Sequence, residues 1–458
     1  MNLKGQRVTV MGLGLFGGGV GAVRFLVRKG AVVTVTDLRP EKDLRASVRA
    51  LNGLPIAFKL GGHKETDFRK TDLIVANPAV PRSSRYLKIA ESAGVPITSE
   101  ICLFVERCPA PIIGITGSSG KTTTTALIGE MLKQKDKRTQ IGGNIGGSLL
   151  DELDLLHADV PIVLELSSFQ LDRLGDLPWS PHIAVTTNFA PNHIDVHGSL
   201  QAYRKAKQQI VMHQTKGDWT IVNGEDAEVS RWTGAGQRVV FAVEGEGDVF
   251  VREGKIQHAI SGDTRTVCSV DTISLRGRHN LANALAATGA AVISGVSEEN
   301  IAEVLQTFQG VPHRLEQVAK VNGVLYVNDS IATSPDRTRT ALMAFDKPIV
   351  LIAGGYDKGI AFDDLGVVIA EKVAHLIVMG ETGDAIAATA KGKTSIHRVE
   401  NLEEAMGCAT DLAQAGDVVL LSPASASYDQ FRNFEERGQR FREWVEKLQR
   451  NANPAKSG

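Results

Sequence analysis

A glycine-rich segment with a single lysine follows a short apolar run in the first half of the chain. It spans residues 114–123 and reads GITGSSGKTT. Glycines in such a loop let backbone N–H groups turn towards phosphate oxygens, and a helix that begins at the end of the loop adds a favourable dipole. Lys121 can reach the β- and γ-phosphates, and Thr122 can hold Mg²⁺. The spacing from Gly114 to Gly120 departs slightly from the usual GxxxxGK pattern, but the SGKT run keeps its working parts, so the segment predicts a nucleoside triphosphate site.

Another glycine pattern, GLGLFG at residues 12–17, follows the first predicted strand. Asp37 ends the next predicted strand about 20 residues after the last glycine, which is the arrangement of a dinucleotide-binding fingerprint. The same pattern also occurs in tight turns that let a helix pack closely on a sheet, so taken alone it is a weak signal. It predicts a nucleotide diphosphate site, and that site need not bind NAD.

Polar residues end two further predicted strands. Glu165 closes one strand and Asn188 follows the next. Because the carboxyl ends of parallel strands face the ligand crevice, Glu165 is placed to meet a metal bound to ATP, and Mg²⁺ favours carboxylates. His193 and Lys207, taken alone, fit an ordinary packed or solvated side chain at least as well as a site residue.

The elements around these motifs repeat the order strand, glycine turn, helix, which predicts parallel sheets covered by helices. The predicted strands are residues 7–11, 32–36, 72–76, 96–98, 112–116, 161–166, 182–187, 349–353, 374–379 and 417–421. Short alternating runs over 238–274 predict a small antiparallel addition. Helices are predicted over 18–29, 279–293 and 297–308.

Breaks in composition divide this pattern into three regions. The order restarts near PAP at 109–111, and GVP at 310–312 predicts a hinge. Beyond that hinge, the Asn-Gly pair at 322–323 predicts a hairpin between strands 316–321 and 324–328.

Composition excludes several classes of protein. The chain has 458 residues, 43% of them hydrophobic, with 51 Lys and Arg against 52 Asp and Glu. This net charge of −1 lacks the basic excess expected of a nucleic-acid-binding protein. No run approaches the ~18 apolar residues of a membrane span, and the start lacks a signal-peptide pattern, so we expect a cytoplasmic protein. The cysteines form no CxxC pair, which argues against a zinc site or a disulfide framework.

Taken together, these motifs resemble those of the Mur ligases, the ATP-dependent ligases that build the peptide stem of bacterial peptidoglycan. The resemblance extends from Gly12 to Gly438. Besides residues 114–123 it rests on GNIG at 143–146, ELSSFQL at 165–171, His193, Lys207, His279-Asn280 with Asn283, PHR at 312–314, NDS at 328–330, Gly354-Gly355 with Lys358, and LSPASASYDQF at 421–431. The last motif, continued by NFEERG at 433–438, is similar to the branch that adds glutamate to UDP-N-acetylmuramoyl-L-alanine.

The resemblance implies an α/β fold of three domains. These would be a Rossmann-like UDP-substrate-binding domain at 1–108, a P-loop ATP-binding central domain at 109–310 and a Rossmann-like C-terminal amino-acid-binding domain at 311–458. The implied activity is ADP-forming addition of D-glutamate to UDP-N-acetylmuramoyl-L-alanine through an acyl phosphate. An L-glutamate-adding variant, or another Mur-type amide ligase, is the alternative. The protein is expected to be a monomer.

The resemblance also assigns roles to particular residues. Those for ATP are Gly117, Ser118, Gly120, Lys121, Thr122, Thr123, Asn280, Arg314 and Asp329. Those for the UDP-substrate are Leu15, Phe16, Asp37, Arg39, Asn144 and His193, and those for the amino acid are Thr333, Lys358, Ser427 and Phe434. The catalytic set is Lys121, His193 and Lys207. The set that organises Mg²⁺, over two sites and with a carbamylated Lys207, is Thr122, Glu165, His193 and Lys207.

The chain departs from the glutamate-adding branch at Ile331 and Ser334, where lysine and asparagine are common, and at NPAV (77–80), where a glycine is common. Three other readings compete. A nicotinamide dehydrogenase would use residues 12–17 but leaves the second glycine segment unexplained. A regulatory ATP-binding protein would not need the motif at 422–438, and a folylpolyglutamate synthetase would lack the first domain.

Overall fold

The structure is a computed structural model that describes residues 2–14, 17–144, 148–192, 194–275, 277–357, 359–390, 392 and 394–452, with Asp195 described by its backbone alone. The described residues form two compact units, Met1–Phe308 and Gln309–Gly458. They carry three sheets, each covered by helices, which confirms the predicted α/β class with three sheet-bearing regions. The domain limits at residues 108 and 310 stay predictions.

The N-terminal region is a parallel sheet in the spatial order β3-β2-β1-β4-β5. Its strands are β1 (Arg7–Met11), β2 (Val32–Asp37), β3 (Ile56–Leu60), β4 (Leu73–Ala76) and β5 (Ile97–Thr98). Its helices are α1 (Gly18–Arg28), α2 (Arg45–Arg49), α3 (Thr66–Arg69), α4 (Arg85–Ser92) and α5 (Glu100–Val105). The strand order switches between β1 and β4: β2 and β3 are added on one side of β1, and β4 and β5 on the other. At such a switch point a nucleotide crevice lies outside the carboxyl ends of the strands.

The middle region is a larger sheet in the order β14-β13-β12-β11-β10-β9-β6-β8-β7. Its strands are β6 (Ile112–Thr116), β7 (Gln140–Gly143), β8 (Ile162–Glu165), β9 (Ile183–Thr186), β10 (Trp219–Asn223), β11 (Gln237–Ala242), β12 (Val249–Arg252), β13 (Lys255–His258) and β14 (Arg265–Ser269). Its helices are α6 (Lys121–Lys135), α7 (Ser168–Leu174), α8 (Ile194–His197), α9 (Leu200–Met212), α10 (Arg278–Ile293) and α11 (Glu298–Thr307).

The prediction of an antiparallel addition over 238–274 is only partly confirmed. β11 pairs in parallel with both β10 and β12, so it continues the parallel sheet. The antiparallel pairing begins at β12 and includes β13 and β14, because short turns join those strands. The segment is an extension of the middle sheet.

The second unit has a mixed sheet in the order β15-β16-β20-β17-β18-β19. Its strands are β15 (Glu316–Val321), β16 (Val324–Asn328), β17 (Ile349–Gly354), β18 (Val373–Met379), β19 (Ser395–Arg398) and β20 (Val418–Leu421). Its helices are α12 (Pro335–Leu342), α13 (Asp363–Lys372), α14 (Gly383–Thr389), α15 (Leu402–Leu412) and α16 (Phe434–Ala452). The predicted hairpin of β15 and β16 is confirmed, and Asn322 (φ 50°) and Gly323 (φ 84°) give it the left-handed turn that suits twisted strands.

The N-terminal and middle regions share one hydrophobic core. Phe25 of α1 and Leu164 of β8 are both fully buried in the same cluster. Strands β4 and β6 are buried along their whole length, as parallel strands covered on both faces are. Among the described residues, no helix is both long and apolar enough to cross a membrane.

Candidate functional site

The second glycine loop, residues 117–120, joins strand β6 to helix α6 as the sequence predicts. Gly117 (φ 156°) and Gly120 (φ 78°) have backbone conformations that favour glycine. A Cβ on Gly117 would lie 1.9 Å from Thr187 Oγ1, and a Cβ on Gly120 would lie 2.3 Å from Asn283 Oδ1. Close approach of these side chains, as well as backbone geometry, therefore requires glycine at both positions.

The end of β9 holds the backbone of this loop. Ser118 N donates to Asn188 O over 3.0 Å, and Ser119 N donates to Asn188 Oδ1 over 2.9 Å. Thr187 Oγ1 donates to Ser119 O over 2.6 Å. The hydroxyl groups of Ser118 and Tyr203 are 3.0 Å apart. The residues that follow β9 therefore fix the loop conformation. Asn188, which the sequence predicts just after that strand, makes two of these hydrogen bonds.

Two lysines converge on one carbonyl of the loop. Lys121 Nζ donates to Gly117 O over 3.0 Å and to Ser118 O over 3.4 Å. Lys207 Nζ, on α9, donates to the same Gly117 O over 2.7 Å and to Thr116 Oγ1 over 3.3 Å. Lys207 is only 1% exposed. Burial, reinforced by the charge of Lys121, holds the pKa of Lys207 well below its usual value, and the charge of Glu165 opposes this shift.

Glu165 supplies a buried carboxylate beside these lysines. Glu165 is 2% exposed, and its Oε1 accepts a hydrogen bond from Asn144 Nδ2 over 2.9 Å. Among the described residues, the buried Oε2 has no hydrogen-bond partner. An unsatisfied buried carboxylate oxygen is costly unless a cation or donor meets it, and Mg²⁺ prefers such an oxygen. Thr122, 4% exposed in the first turn of α6, adds a hydroxyl, so these residues fit a magnesium ion.

Helix α10 brings two asparagines to the same loop. Asn283 is 6% exposed and approaches Gly120, as described above. Its Nδ2 donates to Asn280 Oδ1 over 3.5 Å, so these two side chains, three residues apart, lie on one face of the helix. Asn283 was not among the predicted ATP residues, yet its side chain lies directly against Gly120 of the loop.

The first glycine loop, residues 12–17, is organised around Asp37. Gly12, Gly14 and Gly17 all have positive φ angles, between 68° and 87°. Asp37 Oδ2 accepts hydrogen bonds from Leu13 N over 2.9 Å and from Gly14 N over 3.3 Å. The carboxylate at the end of β2 thus holds the loop itself, a role different from the ribose contact of a dinucleotide fingerprint.

Other groups complete the surroundings of Asp37. The other carboxylate oxygen, Oδ1, accepts a hydrogen bond from Arg39 N over 2.9 Å. The Arg39 side chain is exposed at the carboxyl edge of the sheet. Asn77 Nδ2, after β4, donates to Gly12 O over 3.3 Å, so the loop that follows β4 contacts the first glycine loop.

In the second unit, the ends of β16 and β20 meet at a buried carboxylate. Asp329 Oδ1 accepts from Leu315 N over 3.1 Å, and Oδ2 accepts from Ser422 Oγ over 2.8 Å. Burial raises the pKa of Asp329 to about 6, although these hydrogen bonds oppose the rise. His313 (φ 64°) and Leu315 (φ 43°) both have left-handed backbones on either side of Arg314, which presents that arginine on a constrained turn.

Arg437 of α16 is the main residue of this unit that the site predictions missed. It is 0% exposed and donates to Ser330 O (3.0 Å), Ser425 O (3.1 Å) and Ala426 O (3.2 Å). Burial lowers its pKa to about 9, and the charge of Asp429 opposes the shift. Its position on the apolar face of the last helix was the available signal, because an arginine there needs buried partners.

The predicted amino-acid residues lie around these loops. Thr333 is 9% exposed and Ser427 is 2% exposed. Phe434 begins α16, and its carbonyl accepts a hydrogen bond from Ser330 Oγ over 2.8 Å. Four predicted site residues, Leu15, Phe16, His193 and Lys358, lie outside the described residues.

The predicted residues thus fall into separate groups. One group surrounds the second glycine loop and contains Gly117, Ser118, Gly120, Lys121, Thr122, Thr123, Asn144, Glu165, Lys207 and Asn280. Asp37 and Arg39 lie at the N-terminal sheet. Arg314, Asp329, Thr333, Ser427 and Phe434 belong to the second unit. Asn144, predicted for the UDP-substrate, contacts Glu165.

Family models match this chain in three successive segments. The Mur ligase MurD-like N-terminal domain matches residues 6–99. The Mur ligase middle domain matches residues 115–291, and the Mur ligase glutamate ligase domain matches residues 313–425.

Curated relatives are similar over almost the whole chain. A UDP-N-acetylmuramoylalanine–D-glutamate ligase of Roseiflexus sp. is 44% identical, over 97% of this chain and 99% of the relative. An enzyme with the same name from Symbiobacterium thermophilum is 40% identical, over 97% and 98%.

Solved structures share the fold at lower identity. UDP-N-acetylmuramate-alanine ligase of Thermotoga maritima superposes with a TM-score of 0.56 at 20% identity, over 96% of this chain and 99% of that one. The MurF ligase of Thermotoga maritima in complex with ADP gives 0.51 at 19% identity, over 97% and 96%. With the family models and the relatives, these findings lead to one conclusion: the chain belongs to the Mur ligase family.

Proposed function

We propose that this chain is an ATP-dependent, ADP-forming ligase that adds D-glutamate to UDP-N-acetylmuramoyl-L-alanine in peptidoglycan precursor synthesis. The observation that carries the proposal is the second glycine loop, where Lys121 and Lys207 donate to the same Gly117 carbonyl and where Glu165 Oε2 is buried without a hydrogen-bond partner among the described residues. The names of the relatives, at 44% and 40% identity, favour D-glutamate over the L-glutamate alternative.

The chemistry explains why such a site is needed. A free carboxylate resists amide formation because oxide is a very poor leaving group. The alanine carboxylate oxygen attacks the γ-phosphorus of ATP, the bond to the β–γ bridging oxygen breaks, and ADP leaves. The glutamate amine then attacks the acyl carbon, loses a proton, and phosphate leaves. Lys121, whose Nζ donates to the loop carbonyl of Gly117, would stabilise the charge on the transferred phosphoryl group.

Mur ligases use ATP and Mg²⁺, and the residues here fit both. Thr122, Glu165, His193 and Lys207 would hold the metal, which when bound would neutralise charge on the phosphates. Two metal sites are part of the proposal. Glu165 Oε2 supports at least one, because the described residues leave that buried oxygen without a donor.

We further propose that Lys207 is carbamylated. Its neutral amine would attack CO₂, form an N–C bond and release a proton, which converts the side chain into an anionic oxygen ligand. Burial and the charge of Lys121 lower the pKa of Lys207 and so favour the neutral amine that this reaction requires. An ammonium group in that place would repel Mg²⁺.

The remaining assignments are also proposals. Leu15, Phe16, Asp37, Arg39, Asn144 and His193 would bind the UDP-substrate. Thr333, Lys358, Ser427 and Phe434 would bind glutamate, and Gly117, Ser118, Gly120, Thr123, Asn280, Arg314 and Asp329 would bind ATP with Lys121. Three domains at 1–108, 109–310 and 311–458, a monomeric state and a cytoplasmic location complete the proposal.

Phosphate release tests the function directly. The full chain, Mg²⁺, ATP and UDP-N-acetylmuramoyl-L-alanine are incubated with D-glutamate, L-glutamate and each other amino acid in turn, with the UDP-substrate omitted as the control. We expect D-glutamate to give the fastest release. Faster release with L-glutamate would overturn the stereochemical assignment, and release independent of any amino acid would favour a regulatory ATPase.

A binding measurement tests the dehydrogenase reading. The Asp37 carboxylate already bonds the amides of Leu13 and Gly14, which supports a role other than ribose recognition in NAD. We expect the full chain to bind UDP and not NADH. NADH binding without UDP binding would restore the dehydrogenase reading.

A further inference from the structure

The loop after β4 packs against the first glycine loop. This β4 loop comprises residues 77–84. Asn77 Nδ2 donates to Gly12 O over 3.3 Å, and a Cβ on Gly12 would lie only 2.9 Å from Asn77 Cβ. Ala79 N in turn donates to Asn77 Oδ1 over 3.0 Å. The position of the β4 loop therefore determines the space around the first glycine loop.

Two arginines join the β4 loop to helix α7 of the middle region. From the loop, Arg82 Nε donates to Asp172 Oδ2 over 2.6 Å, and Arg82 Nη2 donates to Asp176 Oδ2 over 2.9 Å. From the helix, Arg173 Nη2 donates to Val80 O over 2.7 Å. Each side thus supplies a guanidinium group to the other, and we name this set of residues the β4–α7 contact.

The two arginines differ in their surroundings. Arg173 is only 4% exposed, so water cannot easily replace its hydrogen bond to the Val80 carbonyl. The Arg82 side chain is 43% exposed, and exposed ion pairs contribute little to stability. The geometry of Arg82 is nevertheless specific, because it meets two carboxylates and the Asp172 carbonyl at once.

Helix α7 is itself fixed to the candidate metal carboxylate. It begins directly after Ser167, whose side chain forms a capping box with Gln170. Only Leu166 separates this cap from Glu165, and Thr116 Oγ1, at the second glycine loop, donates to Leu166 O over 2.8 Å. A displacement of α7 would therefore disturb the end of β8.

We propose that Arg82 and Arg173 are positioning residues for the UDP-substrate. They hold the β4 loop, and through Asn77 the first glycine loop, in a fixed place relative to the strand that carries Glu165. This inference rests on the proposed function, since it takes the first glycine loop as part of the UDP site. Without the contact, the substrate must order the loop as it binds, and that entropic cost falls on this ligand and not on ATP.

The experiment compares two arginine variants of the full chain. Arg82→Ala removes the Arg82 ion pairs of the β4–α7 contact and leaves the Arg173–Val80 hydrogen bond, and Arg85→Ala is the matched control because Arg85 pairs with Glu65 inside the N-terminal region over 3.1 Å. Calorimetry measures binding of UDP-N-acetylmuramoyl-L-alanine and, separately, of ADP with Mg²⁺. We expect Arg82→Ala to weaken binding of the UDP-substrate about tenfold, with less than about a twofold change for ADP or for Arg85→Ala.

A double-mutant cycle separates positioning from a general structural effect. In a chain that already carries Asp172→Ala and Asp176→Ala, Arg82→Ala should weaken UDP-substrate binding less than about threefold further. Equal weakening of both ligands, a persistent tenfold effect in that background, or no effect of Arg82→Ala would each overturn the inference. If the parent chain binds no UDP-N-acetylmuramoyl-L-alanine, the proposed function fails and this inference fails with it, whereas a tightly binding parent with an unaffected Arg82→Ala variant overturns this inference alone.

Discussion

The two glycine loops occupy the same kind of place, after a strand and before a helix, yet opposite charges hold them. In the first loop, the buried Asp37 carboxylate accepts the N–H groups of Leu13 and Gly14. In the second loop, Lys121 and Lys207 donate to backbone carbonyls. A phosphate would meet a like charge near the first pair of amides and an opposite charge at the second loop.

The comparison teaches that a glycine pattern predicts a close backbone approach but leaves the ligand open. A diphosphate at the first loop must be held by groups other than the Leu13 and Gly14 amides, which agrees with the roles proposed for Leu15, Phe16 and Arg39. A triphosphate at the second loop has a lysine in place before it arrives. The following variants test this division of roles, from the largest expected effect to the smallest.

Lys121→Ala should lower kcat for phosphate release at least about 10³-fold, because it removes the positive charge proposed to stabilise the transferred phosphoryl group. Lys133→Ala on the same helix is the control. Lys133 lies three turns beyond the loop and forms an ion pair with Glu130 at a distance of 2.8 Å. Circular dichroism should show both variants folded. Unchanged turnover with normal ATP affinity in Lys121→Ala would remove the contrast between the loops.

If Lys207 carries the proposed carbamate, Lys207→Ala should lower kcat about 10²-fold, and added acetate should restore part of the activity by filling the vacated place. Lys205→Ala, an exposed neighbour on α9, should retain activity and show no response to acetate. Full activity of Lys207→Ala without any added carboxylate would refute the carbamate. Mass spectrometry at neutral pH with ¹³CO₂ gives an independent readout.

Gly120→Ala and Gly17→Ala form a matched pair, because both glycines have similar φ angles, 78° and 86°. A Cβ on Gly120 would lie 2.3 Å from Asn283 Oδ1, whereas a Cβ on Gly17 would meet no atom of the described residues within 4 Å. We expect KM for ATP to rise about tenfold in Gly120→Ala only, while Gly17→Ala loses about 1 kcal/mol of stability from backbone strain. An equal rise in both variants would show that strain alone governs the loops.

Asp37→Asn should lower the unfolding free energy by about 1–3 kcal/mol. Both carboxylate oxygens accept backbone N–H groups, and in asparagine an NH₂ group, itself a donor, replaces one of these acceptors. KM for the UDP-substrate should rise several-fold and KM for ATP should stay constant. Asp43→Asn is the control, because Asp43 ends a single 3₁₀ turn, Glu41–Asp43, that follows β2. Urea denaturation and initial rates measure both effects, and a selective rise in KM for ATP would contradict the assignment of the first loop.

Two strands buried on both faces were predicted from the sequence almost to the residue, whereas two strands at sheet edges were missed. Residues 112–116 were predicted with the observed limits, and residues 349–353 to within one residue, since both runs are wholly apolar or nearly so and are buried on both faces. The edge strands β3 and β19 were missed because polar residues interrupt their apolar pattern, Lys59 in β3 and Ser395, His397 and Arg398 in β19. Strands β7 and β10 were also missed, since their runs of apolar residues are short.

The sequence predicted where the polar residues that end strands or open a helix lie in the fold, and their site roles stay predictions. Glu165 and Asn188 could be assigned from the sequence because parallel strands bring their carboxyl ends to one edge of a sheet. The contacts of Asn283 with the second loop could not be assigned in that way, because they depend on how α10 packs. The same holds for Arg437, whose acceptors lie on loops distant in sequence.

By itself, the sequence determined the α/β class, the two glycine loops and the hairpin, because these depend on local glycine, apolar and Asn-Gly patterns. Only the tertiary structure decided which charge meets each loop, since Asp37 and Lys207 reach the loops from other elements. It also decided that Arg82 joins the β4 loop to α7, because a surface arginine has no preferred partner until the two regions pack on a shared core.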